Sequence, residues 1–255
     1  MPALALMSAL LVSGGDAPAA VIPQKTAAGP WVLTFSDDFD GRAVNHSKWA
    51  NGFGWGRTAA STYGYCDPAD NVVGGGVLLQ RIERRPQGGK PFSVGCLHTR
   101  HRFSQQYGYW EARMSVAGCD GARGAFWAKP ADESWPPELD VVEIHGDQPK
   151  TARLTVHWWQ RGAHEQSQGR FTGPDFSSGF HVFGAEWTPY ETIWYVDGVE
   201  RRRTRMGAPF MNDNGPFYTI LNIELYRPDS PCGKVAHASR QFVDYVRIWA
   251  RAPAG

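Results

Sequence analysis

Short β-favouring segments follow one another along this chain, and few windows longer than about ten residues keep the 3.6-residue hydrophobic period of an amphipathic helix. Clusters of glycine, proline, aspartate and asparagine separate these segments, and Asp197-Gly198 between two of them is a strong signal for a two-residue type I′ hairpin. The pattern predicts a β sandwich or barrel, and we expect a single sandwich domain over residues 20–255. The predicted strands are Val77–Ile82, Tyr107–Val116, Ala125–Ala128, Leu139–Ile144, Arg153–Trp159, His181–Trp187, Thr192–Val196, Val199–Arg203, Phe217–Leu225 and Phe242–Trp249.

The charge balance excludes several classes of partner. Lysine and arginine number 26 against 25 acidic residues, a net charge of +1, so no broad basic field favours nucleic-acid binding. No apolar run reaches the roughly 18 residues of a membrane span. We therefore expect neither nucleic acid nor a membrane as a partner.

The N-terminal residues differ from the rest of the chain. Ala3–Val12 is an apolar stretch, and Ala17-Pro18-Ala19 offers small residues at the spacing that a signal peptidase reads. The usual positive segment is missing, because no lysine or arginine precedes Lys25. We interpret residues 1–19 as a signal peptide and expect a secreted or periplasmic protein.

The four cysteines, Cys66, Cys96, Cys119 and Cys232, allow three pairings, and none of them forms a CxxC motif. Our first prediction is a Cys66–Cys96 disulfide. The other pairings stay open at this point, and so do buried thiols.

The most informative segment is Glu-Leu-Asp-Val-Val-Glu over residues 138–143, where three acids lie among apolar β-formers. Because side chains alternate on a regular strand, Glu138 and Asp140 share one face and Glu143 points to the other. An extra residue at Val141-Val142, a β-bulge, would return Glu143 to the same face, and bulges recur beside active sites. We therefore predict all three acids on one face.

The spacing of these acids suits glycosidic chemistry. With the bulge absorbed, the outer glutamates lie about 13 Å apart between Cα atoms, and inward-leaning side chains can bring the carboxyl groups to about 5–6 Å. Crowding also raises one pKa, which leaves an acid beside an ionised base. The spacing fits both retaining and inverting pairs, and a solvated strand face or a calcium ligand set is the alternative reading.

Several ordered motifs resemble glycoside hydrolase family 16. Residues 138–143 match its E-x-D-x-x-E signature in the bulged form of laminarinases and their bacterial relatives, whereas lichenases use the shorter E-x-D-x-E. Further segments that resemble the family are Phe35–Gly41 with Trp49, Tyr107–Arg113, Phe180–Pro189, Ile193–Gly198 and Val243–Trp249. The resemblance covers nearly the whole chain after residue 19.

The resemblance implies a concanavalin-like β-jelly-roll sandwich of two antiparallel sheets with a substrate cleft across one sheet. It also implies a retaining mechanism with Glu138 as nucleophile, Glu143 as general acid/base, and Asp140 as the residue that hydrogen-bonds the nucleophile. In some relatives a residue at the position of Asp244 holds a structural calcium together with backbone carbonyls, and no other cofactor is implied.

Aromatic residues on both sides of the acids are candidates for sugar binding. We expect Trp127 and Trp135 to stack on sugar rings and His157 to hydrogen-bond the carboxylates, although each tryptophan could equally be core. Two positions depart from the family pattern: Gly124 stands where a proline is common, and Glu224 has no role that the family supplies.

The sequence therefore predicts a monomeric endo-β-glycanase acting on a β-1,3- and/or β-1,4-linked polysaccharide. The stretch Ser134–Glu138 is most similar to endo-1,3-1,4-β-glycanases that trim bacterial exopolysaccharides. A non-catalytic glycan-binding module and a transglycosylase are the alternatives. The basic run Arg201–Arg205 reads as a protected edge strand or as a contact for an acidic polysaccharide.

Overall fold

The computed structural model describes residues 30–234 and 237–252, and this part of the chain folds into two packed sheets. The predicted signal peptide, residues 1–19, lies outside the described residues. The strands are β1 Trp31–Asp37, β2 Ala50–Asn51, β3 Gly64–Cys66, β4 Asn71–Gly74, β5 Val77–Glu83, β6 Phe92–Val94, β7 Cys96–His98, β8 Gly108–Ser115, β9 Ala122–Pro130, β10 Glu138–His145, β11 Thr151–Gln160, β12 Ala163–Thr172, β13 His181–Trp187, β14 Thr192–Val196, β15 Val199–Thr204, β16 Phe217–Leu225 and β17 His237–Arg251.

In the described residues, helical structure is confined to short connections. The helix α1, Ala208–Met211, has four residues, and 3₁₀ turns span Pro68–Asp70, Asn212–Asn214 and Cys232–Lys234. In the residues that the structure describes, no helix has the length and hydropathy that a membrane crossing requires.

The sheet that carries the predicted acids has seven strands in the order β12-β11-β10-β9-β16-β7-β2. The second sheet has ten strands, with the path β15-β14-β13-β8-β17-β5-β6-β3, and β1 and β4 pair with β17 and β5. Among the strands that the structure describes, all pairings are antiparallel except that of β3 with β6. The predicted two-sheet jelly roll is confirmed, with one parallel pair that alternation in the sequence does not reveal.

The main core lies between the two sheets. Leu139, Val142 and Ile144 from β10 are fully buried in one cluster with Trp110 and Phe183 from the opposing sheet. Burial of aliphatic and aromatic side chains of this size contributes about 1.5–3 kcal/mol each. The inner face of β10 is therefore fixed by packing, which leaves its outer face to carry polar groups.

Every predicted strand is present, with boundaries shifted by a few residues at most except at β17, which begins five residues earlier. The predicted hairpin is confirmed too, because Asp197 and Gly198 have φ values of 51° and 75° and join β14 to β15. The Cys66–Cys96 disulfide is confirmed, with Cα atoms 5.5 Å apart. It links β3 of the larger sheet to β7 of the smaller one.

Candidate active site

A β-bulge in β10 places the three acids on one face. Across from β9, Asp140 faces Trp127 and Val142 faces Phe126, so Val141 is an extra residue without a partner on that strand. Both Val141 and Val142 are fully buried in the core, and Glu143 returns to the face of Glu138 and Asp140. The predicted bulge is confirmed.

A side chain from the opposite sheet supports the bulge. The indole N–H of Trp194, on β14, donates a 2.8 Å hydrogen bond to the backbone carbonyl of Asp140. A bulge interrupts the ladder, and a buried carbonyl needs a partner. The bulge is thus held from the core side by a fully buried tryptophan.

The outer face of the seven-stranded sheet forms the floor of an open cleft of about 690 Å³. The loop between β2 and β3 supplies one wall, and the segment before β10 supplies part of the rim. The lining side chains include Phe53, Trp55, Ser61, Arg123, Trp127, Lys129, Trp135, Glu138, Asp140, Glu143, His145, Arg153, His157, Gln166, Gln168, Asn222 and Glu224. All six residues predicted to form the catalytic and sugar-binding site are in this set.

Glu138 is oriented by two N–H-bearing rings. The indole N–H of Trp135 donates a 2.8 Å hydrogen bond to its Oε2, and Nε2 of His157 lies 3.7 Å from its Oε1. Burial raises the pKa of Glu138 well above its ordinary value of 4.5, and the Asp140 carboxylate raises it further. His157 and the indole N–H act in the opposite direction, since they favour the ionised form.

Asp140 lies deepest of the three acids and is only 2 % exposed. Its Oδ2 is 3.1 Å from Nε2 of His157. Burial and then the charge of Glu143 raise its pKa well above the ordinary aspartate value, while Arg123 opposes them. Burial therefore favours a proton on this pair of carboxyl groups at a pH where exposed carboxyl groups hold none.

Glu143 forms an ion pair with Arg123, whose guanidinium lies 2.9 Å from its Oε1. Arg123 also binds Glu224 through both Nε and a terminal nitrogen. Burial lowers the pKa of Arg123, but Glu224 and then Glu143 outweigh burial and the pKa is raised overall. Arg123 stays charged and fixes the position of Glu143.

The two departures from the family pattern now have local explanations. Glu224, 2 % exposed on β16, is the buried counter-ion that holds Arg123 against Glu143. At Gly124 a Cβ atom would lie 2.2 Å from Oε1 of Gln241, whose amide donates to Gln80 in the same buried region. A larger residue at position 124 would therefore require the Gln241 side chain to move.

A second histidine extends the network around His157. Nδ1 of His157 lies 2.9 Å from Nε2 of His164, on β12, and the two rings stack with centroids 5.1 Å apart. The Trp135 ring packs on His164 at 4.9 Å. Burial, then the charge of His157, lowers the pKa of His164. His164 cannot be recognised as a site residue from the sequence, because β12 lacks the apolar pattern of a strand.

Indole rings line the other side of the cleft. Trp127 is half-buried and donates a 2.8 Å hydrogen bond to Oδ1 of Asn222, and its ring lies 6.1 Å from that of Trp55. Trp55 is 44 % exposed and stacks on Phe53, while the Lys129 ammonium lies over its ring. Trp55 likewise cannot be assigned to the cleft from the sequence, since it lies in a loop where no periodicity shows which way its side chain points.

The metal-binding potential of the site is limited. Single ligand atoms of Glu138, Asp140 and His157 lie within 4.8 Å of one another, so these side chains could approach a cation. Calcium takes six to eight oxygen ligands, whereas here an indole N–H faces Glu138 and one of the three ligands is a nitrogen. The arrangement favours hydrogen-bonded carboxyl groups over a calcium ligand set.

Asp244 lies elsewhere, on β17 of the ten-stranded sheet. Its carboxylate forms a 2.7 Å ion pair with Arg113. That partner neutralises the charge that a calcium ion would use. A structural calcium at Asp244 stays a prediction.

The floor of this groove, which is edged by indole rings, carries two glutamates with an aspartate between them. Such an arrangement defines a glycoside hydrolase, in which one carboxyl group either attacks the sugar or activates water and the other protonates the leaving oxygen. The chain belongs to the glycosyl hydrolases of family 16, whose family model matches residues 83–226.

Individual relatives agree with this assignment. An endo-1,3-1,4-beta-glycanase, EglC, of Rhizobium meliloti is 36 % identical over 165 residues, which cover 64 % of this chain and 34 % of that protein. A beta-glucanase of Rhodothermus marinus is 29 % identical over 243 residues, 86 % of this chain and 85 % of the relative. The chain thus spans about a third of the length of the first relative and most of the second.

The fold is also shared with solved structures. The X-ray structure of the laminarinase from Rhodothermus marinus superposes with a TM-score of 0.74 at 28 % identity, and the match covers 88 % of this chain and 98 % of that one.

Proposed function

We propose that this protein is a retaining endo-β-glycanase that hydrolyses internal β-1,3 and/or β-1,4 bonds of a glucan-type polysaccharide. The observation that carries the proposal is the bulge in β10, since it puts Glu138 and Glu143 on one face of the sheet with Asp140 between them. The open cleft accepts a polymer along its length, which fits cleavage within a chain. The relatives named above support a β-glucan as the substrate class.

In the first step a carboxylate oxygen of Glu138 attacks the anomeric carbon. The glycosidic C–O bond breaks as Glu143 gives its proton to the leaving oxygen, and a covalent glycosyl ester forms on Glu138. In the second step the Glu143 carboxylate takes a proton from water. The resulting hydroxide attacks the anomeric carbon and releases Glu138, so that the product keeps its configuration.

Asp140 and Glu138 have different protonation states in this proposal. We assign the proton that burial retains to Asp140, the less exposed of the two acids, which leaves Glu138 ionised. Glu138 keeps the negative charge because His157 and the Trp135 N–H favour its ionised form. These side chains supply every step, so the mechanism requires no cofactor.

Azide rescue tests the two glutamate roles directly. We expect Glu138→Ala and Glu143→Ala each to lower kcat on laminarin or mixed-linkage β-glucan by more than about a hundredfold. On an aryl β-glycoside whose leaving group departs without protonation, azide should restore turnover in both variants, giving an α-glycosyl azide from Glu138→Ala and a β-glycosyl azide from Glu143→Ala. The matched control is Glu165→Ala, an exposed glutamate on β12 that does not line the cleft.

Four results would contradict the proposal. Full activity in either glutamate variant removes the assigned role. Inverted anomeric products in an NMR time course remove the double displacement. Retention of the chain on a polymer column without cleavage of any polymer assigns a binding module, and sugar-chain elongation in place of hydrolysis assigns a transglycosylase.

We also propose that the protein is exported, that residues 1–19 are removed, and that it acts as a monomer. The Cys66–Cys96 disulfide supports export, because such bonds persist in oxidising compartments. Intact-mass analysis of the mature N-terminus and light scattering test these two statements.

A further inference from the structure

Two arginines lie side by side on the cleft face, directly beyond Glu143. Glu143 on β10 faces Arg153 on β11, and Arg153 in turn faces Arg170 on β12. Gln166 and Gln168 line the cleft, and alternation puts Arg170 on the same face of β12. The row Glu143, Arg153, Arg170 therefore runs across the sheet from the proposed acid/base towards its outer edge.

Arg153 is not fully paired. It is 7 % exposed, and one terminal nitrogen donates a 2.8 Å hydrogen bond to Oε1 of Gln148. The other terminal nitrogen is buried and has no hydrogen-bond partner among the described residues. A buried guanidinium nitrogen without an acceptor loses its hydration and gains nothing in return, which disfavours the arrangement unless a ligand completes it.

The surrounding charges do not compensate for this arrangement. Burial and then Arg170 lower the pKa of Arg153, while Glu143 and Asp147 act in the opposite direction. Each of these acids already has an arginine partner, since Glu143 binds Arg123 and Asp147 lies 3.5 Å from Arg227.

Arg170 itself is exposed, and within residues 30–234 and 237–252 it makes no ion pair. Like charges directly opposite one another on neighbouring strands are destabilising. The pair therefore combines like-charge repulsion with a donor that lacks an acceptor, and a bound anion relieves both.

We propose that Arg153 and Arg170 bind a carboxylate carried by a sugar residue of the polysaccharide, so that this end of the cleft selects an anionic β-glycan. A planar carboxylate matches the two-nitrogen fork of a guanidinium, which a neutral hydroxyl group does not. The row begins at Glu143, so the bound carboxylate belongs to a chain that already occupies the proposed catalytic cleft. This inference deepens the proposed function and rests on it for the identity of the polymer.

Polysaccharide binding measured without turnover tests the carboxylate site independently of the proposed reaction. In the Glu138→Gln background we would measure affinity electrophoresis in gels that contain laminarin, laminarin oxidised to carboxylates at C6, or laminarin O-succinylated to the same charge. We expect about tenfold tighter binding of at least one carboxylated polymer than of laminarin. The two charged polymers distinguish a uronate from an acyl half-ester as the source of the carboxylate.

Substitution of the exposed arginine provides the decisive comparison. Arg170→Gln should abolish the preference for the carboxylated polymer, and about 1 M NaCl, where the screening length is only about 3 Å, should weaken it. Arg161→Gln removes the same charge from the β11–β12 turn, outside the lining of the cleft, and should keep the preference. Arg153→Lys keeps the buried charge without the fork and should reduce the preference while the chain stays folded.

Equal binding of neutral and carboxylated laminarin overturns the inference, and so does an unchanged preference in Arg170→Gln. Loss of the preference in Arg161→Gln as well indicates a general charge effect and overturns it too. If the preference behaves as expected but the wild-type protein cleaves none of the polymers, the proposed function fails and the carboxylate site stands.

Discussion

The indole nitrogen of Trp135 lies 2.8 Å from Oε2 of Glu138, three residues further along the chain. The Trp135 ring is 53 % exposed at the rim of the cleft, where sugar rings can reach it. One side chain thus combines a stacking surface with a hydrogen bond to the proposed nucleophile. The position of Glu138 depends on a residue that contacts solvent and substrate.

Replacement of Trp135 by phenylalanine separates these two contributions. Trp135→Phe keeps an aromatic face and removes the hydrogen bond to a charged group, which is worth about 1.5–3 kcal/mol. We expect kcat to fall about tenfold or more, with a much smaller change in KM. Steady-state kinetics on a soluble β-glucan provide the measurement.

The matched comparison is Trp127→Phe, because that indole N–H donates to Asn222 and not to an acid. If both variants lose the same fraction of kcat, the Trp135 hydrogen bond has no special role at Glu138.

The raised pKa values of Glu138 and Asp140 predict how stability depends on pH. Above pH 4.5, the ordinary glutamate value, the unfolded chain releases protons that the folded state still holds. The free energy of unfolding therefore falls as pH rises from there towards the raised folded-state pKa. Glu138→Gln removes this cost, so we expect the variant to be more stable than the wild type at pH 7, with a smaller difference at pH 4.

Urea unfolding at a series of pH values measures this effect, and Glu165→Gln on exposed β12 serves as the control. A Glu138→Gln variant that is less stable than the wild type at neutral pH would show that Glu138 is ionised without cost in the folded protein.

The buried contact between Arg123 and Glu224 predicts a second stability effect. Glu224 is 3 % exposed at its side chain, and its replacement leaves a largely buried guanidinium with Glu143 as its remaining counter-ion. We expect Glu224→Gln to lower the free energy of unfolding by about 3 kcal/mol. It should lower kcat too, because Arg123 then holds Glu143 less firmly.

For comparison, Arg203→Gln breaks the ion pairs with Glu191 and Glu200, whose arginine is 45 % exposed, and should cost about 1 kcal/mol. Equal losses in the two variants would mean that the burial of Glu224 contributes nothing. Chemical denaturation of the two proteins under the same buffer decides between these outcomes.

The Cys66–Cys96 disulfide predicts a third effect on the free energy of unfolding. Cys66 and Cys96 are separated by 30 residues, and a loop of that length corresponds to about 3–4 kcal/mol of stabilisation. We expect Cys66→Ala/Cys96→Ala to lose roughly this amount in denaturant unfolding, and a reductant to destabilise the wild type while leaving the variant unchanged. Reductant sensitivity in the double variant would instead point to Cys119 and Cys232.

The fold was largely predictable from the sequence, because its central strands carry strong apolar patterns. The strand β12 was not predicted, since its residues are mostly exposed on both faces and no hydrophobic period marks them. The same holds for β2, β3, β4, β6 and β7, each of two to four residues. Such strands depend on their neighbours for hydrogen bonds and have little local signal.

The acids of the site were predictable because they interrupt an apolar strand. Arg123 could have been found by counting back from Trp127, as alternation places positions 123, 125 and 127 on one face. Its pairing with Glu224 could not, since these residues are 101 positions apart and meet only through the order of the strands. His164 likewise acquires its role from the β11–β12 register.

The bulge in β10 also has a consequence for how this strand can change in evolution. Loss of the single codon for Val141 would leave Glu-Leu-Asp-Val-Glu, in which simple alternation keeps all three acids on the cleft face. Loss of Leu139 would instead turn Glu138 into the core. The strand can thus lose one valine at the bulge and still place all three acids on the cleft face.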